Sequence, residues 1–201
     1  MIIHGLNLLH KRLLVVVAHQ DDESLYFGGL LSSIAGRAHI SLLSITAPMP
    51  GRADTQHRLS NFYRVGELLE CHTTRCLNLP DCGPRGEAYL TNNLVTQVAT
   101  CLAGLEEPYD IVVTHSALGE PNTVYGPSGH EAHKATHLGV VAVMRPPIIT
   151  CGLGCTDVSF EIDYDRAKKK RLLDCYAPWW TPVEYDFVYH PERYALKGEG
   201  R

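Results

Sequence analysis

The sequence predicts an α/β protein, a Rossmann-like three-layer sandwich on a mostly parallel sheet. A single domain is expected over residues 1–201, with its core at about 13–176 and a short C-terminal extension. Three observations predict this. Short β-rich apolar runs alternate with longer amphipathic stretches, as βα units packed on a parallel sheet do. At 201 residues the chain is long enough for one well-buried domain and short for two. Finally, the charged stretch AHQDDES at 18–24 directly follows the apolar run LLVVV, and parallel sheets bind ligands beyond the carboxyl ends of their strands.

Taken in order, residues 13–18 read as a buried strand and 25–35 as the helix that follows it. Residues 39–45 form the second strand candidate. The loop PMPGRA then separates it from a helix over 54–70. A third strand at 75–79 ends in the Gly/Pro-rich DCGPRG, and a helix follows over 88–105. The fourth strand, 110–114, runs into GEPNTVYGPSG, a long loop that precedes a helix from about 130 to 144. One more strand is expected between Pro146 and Asp163. A last helix over 164–175 is stopped by the prolines of YAPWWTP.

A net charge of −4 gives no reason to expect nucleic acid as a partner, and the basic run RAKKKR at 166–171 reads as a solvated helix face. The seven cysteines are odd in number, scattered and without a CxxC pair, which favours reduced thiols and a cytoplasmic location. Cys151 and Cys155 lack the second pair that a thiolate metal site needs. No stretch approaches the roughly 18–20 apolar residues of a membrane span, and residues 1–12 lack a secretory cleavage site. A small-molecule partner is expected. Assembly into a homo-oligomer stays open.

Chemistry concentrates at two strand ends. His19 and Asp22 offer one imidazole and one carboxylate from a single tight turn. In GHEAHKATH, His130, His133 and His137 are spaced by three and four, which places them along one helix face. A two-ligand turn plus one helical histidine makes a three-ligand site, for which zinc, Zn(2+), is the natural occupant. The plainer reading is that Asp21 or Asp22 caps the first helix and that the histidine face is surface. Each plain reading holds its own singly; together, an HxDD strand end and an HxxH helix start after a Gly-rich loop favour the metal.

AHQDDES resembles the AHPDDE signature of the PIG-L/LmbE-like zinc de-N-acetylases, and GHEAH resembles their second signature, a GHPDH-like stretch. Between them, YRVGELL at 63–69 resembles the family helix in which Glu follows Arg by three residues, and VVTH precedes the second signature. The resemblance spans roughly 13–140 with its motifs in order. It implies His19, Asp22 and His133 as zinc ligands and Asp21 as general base. His130 becomes the electrophilic or acid residue, protonated to steady the oxyanion and the leaving amine, and Arg64 a substrate-binding residue, for which an exposed helical partner of Glu67 or Glu70 is an equal reading. Asp81 and His115, at strand ends, are further candidates to contact substrate. Trp179 and Trp180 could stack on a sugar ring, and His137 reads as surface or as a neighbour of the ligands.

Two positions depart from the family. Gln20 replaces proline and loses its fixed φ, so other contacts must hold the turn. Ala132 replaces the acidic or amide residue between the two histidines, leaving Glu131 or His115 to support His130. The resemblance implies a zinc-dependent hydrolase that removes an N-acetyl group from an N-acetylated amino sugar or its conjugate. Two alternatives are a zinc amidase acting on a non-sugar acyl amide, such as an antibiotic or thiol precursor, and an inactive metal-stabilised binding module.

Overall fold

The computed structural model describes residues 2–3, 6–47, 55–82, 88–121, 126–152, 158–177 and 191–197. A short antiparallel ladder joins β1 (Ile2–Ile3) to β2 (Leu6–Asn7). The main sheet is built around β3 (Arg12–Val17), whose neighbours are β4 (His39–Thr46) on one side and β6 (Ile111–Thr114) on the other, all parallel. Beyond β4 lies β5 (Thr73–Leu79), and beyond β6 lies β7 (Ile148–Cys151). The apolar run explains the central place of β3. Leu13, Val15 and Val17 enter one core cluster while Leu14, Val16 and Ala18 enter the other, so both faces are dry.

Among the described residues, five α-helices cover the two faces. On one side α1 (Asp22–Ile34), α2 (Thr55–Leu68) and α5 (Arg166–Leu173) pack over Phe27, Leu31, Phe62, Val65 and Leu172. Opposite them, α3 (Ala88–Ala103) and α4 (Glu131–Val143) bury Leu94, Val98, Ala135 and Val140. Three layers result. From residue 12 through 144 predicted and observed elements agree to within a few residues, whereas the β1–β2 ladder was not expected.

The carboxyl-terminal third differs from expectation. Two strands follow α4 before α5, namely β7 and β8 (Phe160–Ile162), and a further strand, β9 (Glu192–Lys197), lies between them antiparallel to both. The sheet order is therefore β5-β4-β3-β6-β7-β9-β8. The core does not stop near 176.

β9 escaped notice because its buried face carries a charge. Glu192 accepts hydrogen bonds from Gly29 N at 2.6 Å, Leu30 N at 2.8 Å, Lys169 Nζ at 2.6 Å and the Tyr194 hydroxyl. Lys169 is accordingly 1% exposed, which corrects the reading of RAKKKR as wholly solvated. A side chain at Gly29 would meet the Tyr164 ring at 2.4 Å, so this close approach of α1 needs glycine. The six described cysteines are free thiols, as expected, and Cys155 lies outside the described residues. Among the described residues, no helix is long and apolar enough to cross a membrane.

Candidate active site

The strand order reverses at β3 and β6, and the site forms where their carboxyl ends diverge. Ser24 N and Leu25 N both donate to the Asp21 carbonyl at 2.9 Å, starting α1. Asp21 itself has φ 137°, a conformation that a residue with a Cβ rarely adopts. Such strain costs on the order of 1–3 kcal/mol and persists where surroundings over-determine it. Here Glu23 supplies that control. Its Oε2 accepts Asp21 N–H at 3.0 Å, while its Oε1 accepts the Ser24 and Tyr176 hydroxyls at 2.8 and 2.7 Å.

Gln20 holds the same turn from the other side, its amide donating to Ser44 Oγ at 2.9 Å and to the Thr46 carbonyl at 2.5 Å. These bonds replace the constraint of the absent proline. Asp21 occupies the helix N-cap position with no side-chain cap bond, so capping does not account for the paired aspartates.

Three donor atoms meet in a near-equilateral triangle. His19 Nδ1 lies 3.3 Å from Asp22 Oδ2 and 3.3 Å from His133 Nε2, and His133 Nε2 lies 3.4 Å from Asp22 Oδ2. A tetrahedral ion about 2.0–2.1 Å from each ligand sets its ligands about 3.3–3.4 Å apart. The triangle fits that spacing.

His130 and His115 also reach the cluster, since the donor atoms of His19, His130 and His133, and those of Asp22, His115 and His133, lie within 4.8 Å of one another. Hydrogen bonding sorts the four rings. His133 Nδ1 faces Glu120 Oε2 at 2.7 Å and His19 Nε2 faces Asp81 Oδ2 at 3.2 Å, so each gives its N–H to a carboxylate and turns a lone pair inward. His115 instead sets Nε2 3.0 Å from Ala18 N and 3.2 Å from Asp22 Oδ2, with Nδ1 facing Glu120 at 2.9 Å. His130 Nδ1 accepts Ala132 N–H at 3.2 Å as the N-cap of α4, which leaves its proton on Nε2.

The charges follow from these contacts. Burial opposes protonation of His19, yet Asp22 and Asp81 raise it to about 9; burial likewise opposes it at His115, where Glu120 and Asp22 raise it to about 9. Burial disfavours the Asp22 carboxylate, but His133, His115 and His19 hold it well below the usual range. For Asp21, burial dominates and lifts it to about 6, against the pull of the Arg58 guanidinium, with which it forms a salt bridge. Burial and the neighbouring His19 and His133 push His130 down to about 2. These contacts disfavour the protonated form expected of His130.

Most of the predicted residues meet here: His19, Asp21, Asp22, Asp81, His115, His130 and His133. Arg64 does not. It is exposed on α2, six residues and about 120° around the helix from Arg58, the arginine that reaches Asp21. Ala132 is fully buried in the apolar cluster with Leu94 and Val98, and only its backbone N–H reaches the His130 ring, at 3.2 Å. His137 is buried too, its Nδ1 donating to the His115 carbonyl at 2.8 Å. Trp179 and Trp180 lie outside the described residues.

Arg58 and Glu120 were missed from the sequence. Glu120 sits in a stretch that reads only as a Gly/Pro loop, and Arg58 precedes the family-like YRVGELL. A groove of about 470 Å³ over Leu43, Leu77 and Leu105 is lined by none of the cluster residues.

The profile described as PIG-L, GlcNAc-PI de-N-acetylase, matches residues 14–144. Among solved structures, the zinc-inhibited form of a teicoplanin deacetylase is similar with a TM-score of 0.68 and 15% identity, covering 92% of this chain and 97% of that one. A deacetylase–teicoplanin complex gives 0.70 and 16%, covering 94% and 98%. The N,N'-diacetylchitobiose deacetylase from Pyrococcus horikoshii gives 0.61 and 11%, covering 93% and 84%. No curated protein matches the sequence. The profile match, spanning well over half of the chain and both histidine-bearing turns, shows that the chain belongs to the PIG-L (GlcNAc-PI de-N-acetylase) family.

Proposed function

We propose that the protein is a zinc-dependent hydrolase that removes an acetyl group from an N-acetylated amino sugar or its conjugate. The observation that carries this reading is the triangle of His19 Nδ1, Asp22 Oδ2 and His133 Nε2, with edges of 3.3–3.4 Å. Two imidazoles and one carboxylate are a donor set that zinc accepts while keeping a position open. When bound there, zinc polarises the amide carbonyl and acidifies a water.

The remaining work falls to the protein's own side chains. Asp21, with its carboxyl raised to about 6, is ionised near neutral pH and basic enough to take a proton from the attacking water. It returns that proton to the amide nitrogen as the C–N bond breaks, so acetate and a free amine leave. Arg58 keeps the carboxylate oriented and stops burial from neutralising it. His130 donates Nε2–H to the oxyanion that develops on the carbonyl oxygen.

The test is metal analysis together with a substrate panel. Wild-type protein should hold about one zinc, and His19→Ala and His133→Ala should be strongly depleted. Acetylated sugars, acetylated amino acids and acyl-amide antibiotics are then assayed for free amine with and without zinc. Full zinc content in both variants overturns the ligand set. Reaction with non-sugar amides alone overturns the sugar assignment.

A further inference from the structure

We propose that Glu120 is the positioning residue of the metal site, fixing ligand His133 and its neighbour His115 through one carboxylate. The proposal rests on the ligand set proposed above. Glu120 Oε2 faces His133 Nδ1 at 2.7 Å and His115 Nδ1 at 2.9 Å, while Oε1 accepts Ser116 N–H at 2.6 Å. One buried side chain thus ties the end of β6 to the first turn of α4.

The two rings stack 4.0 Å apart at 17°, so neither can rotate without displacing the other. His115 is held from behind, its Nε2 packed 3.0 Å from Ala18 N and 3.2 Å from Asp22 Oδ2. With both Nδ1–H groups committed to Glu120, His133 can turn only Nε2 toward Asp22 and His19.

The backbone is arranged to deliver this carboxylate. Glu120 has φ 53°, where glycine or asparagine would be less strained, and its side chain is fully buried. His130 N–H donates to the Gly119 carbonyl at 2.7 Å, and a Cβ at Gly129 would come within 2.0 Å of the Leu118 carbonyl oxygen. The long loop is therefore pinched shut at its base. Residue 120 is held just inside that pinch, facing the histidines.

Glu120→Gln separates positioning from loop anchoring. Its amide oxygen can still accept Ser116 N–H, but its NH2 group then faces the two imidazole nitrogens. At least one ring must switch to the Nε2–H tautomer. Zinc dissociation constants should rise by about 10–100-fold in a variant whose far-ultraviolet circular dichroism matches wild type. Nitrogen-15 spectra of the zinc-loaded wild type should show Nδ1–H on His133 and His115, with His133 Nε2 on the metal.

An unchanged zinc affinity in folded Glu120→Gln overturns the proposal. So does metal on His133 Nδ1 in the wild type, a measurement that needs no variant to fold. Absence of zinc binding by wild type, or full zinc retention by His133→Ala, overturns the underlying ligand assignment instead.

Discussion

Replacing Arg58 by Met removes the cation that holds Asp21 while keeping most of the apolar stem. At an effective dielectric constant of about 20 and a charge separation of about 4 Å, the pair interacts by roughly 4 kcal/mol. That corresponds to an upper limit of about three pK units. The Arg58 side chain is 25% exposed, so water screens part of this, and a rise of about one to two units is expected.

The sign is fixed by the roles. Asp21 works as the carboxylate, and its carboxyl lies at about 6 with Arg58 in place. Losing the cation favours the neutral acid, so the acid limb of the kcat/KM profile moves upward. Deacetylation at pH 6 should fall by about 5–50-fold, whereas rates above pH 8 should change far less. The assay is amine release across pH 5–10 with zinc content measured in parallel. An acid limb that stays put or moves down, in a folded variant with full zinc, refutes the placement of Arg58 against the base.

Asp21→Asn should retain zinc yet lose about 10²–10⁴ in rate, because its proposed role is to move protons and not to ligate; loss of zinc together with activity, by metal analysis, would make Asp21 a ligand. Zinc affinity should rise with pH up to about 9, since below that value the ion must displace a proton from His19; calorimetric titration in buffers of differing ionisation heat reads the released protons. A flat pH dependence contradicts this. Lys169→Met should cost about 3–5 kcal/mol in denaturant unfolding, because it leaves Glu192 charged and buried without its cation.

Reading ahead of the structure succeeded where one residue pattern had one physical outcome. An uninterrupted apolar run at 13–17 that ends in three valines reads as a strand dry on both faces, and its successor turn then sits at the sheet's ligand-binding edge. His19, Asp21 and Asp22 come from that turn, and His130 and His133 from one helix start, so local spacing already places them as groups. β9 was invisible for the opposite reason. Its inward positions are Glu192 and Tyr194, whose burial depends on Lys169 and on two helix amides far away in sequence.

The sequence by itself determined the fold class, the family and the residues able to bind a metal, because hydrophobic periodicity and motif spacing are properties of neighbours along the chain. Only the tertiary structure shows which hydrogen bonds each member of that set makes. Whether a histidine ligates or donates depends on which nitrogen already holds a hydrogen bond, and those partners lie far off: Ala18 for His115, Asp81 for His19, Glu120 for His133. Likewise, α2 offers arginines at 58 and 64, and the helix's rotation against the sheet turned Arg58 to Asp21 and left Arg64 exposed. Through-space hydrogen bonding and packing choose among residues that local pattern leaves equivalent, which is why composition and spacing reached the site but not its wiring.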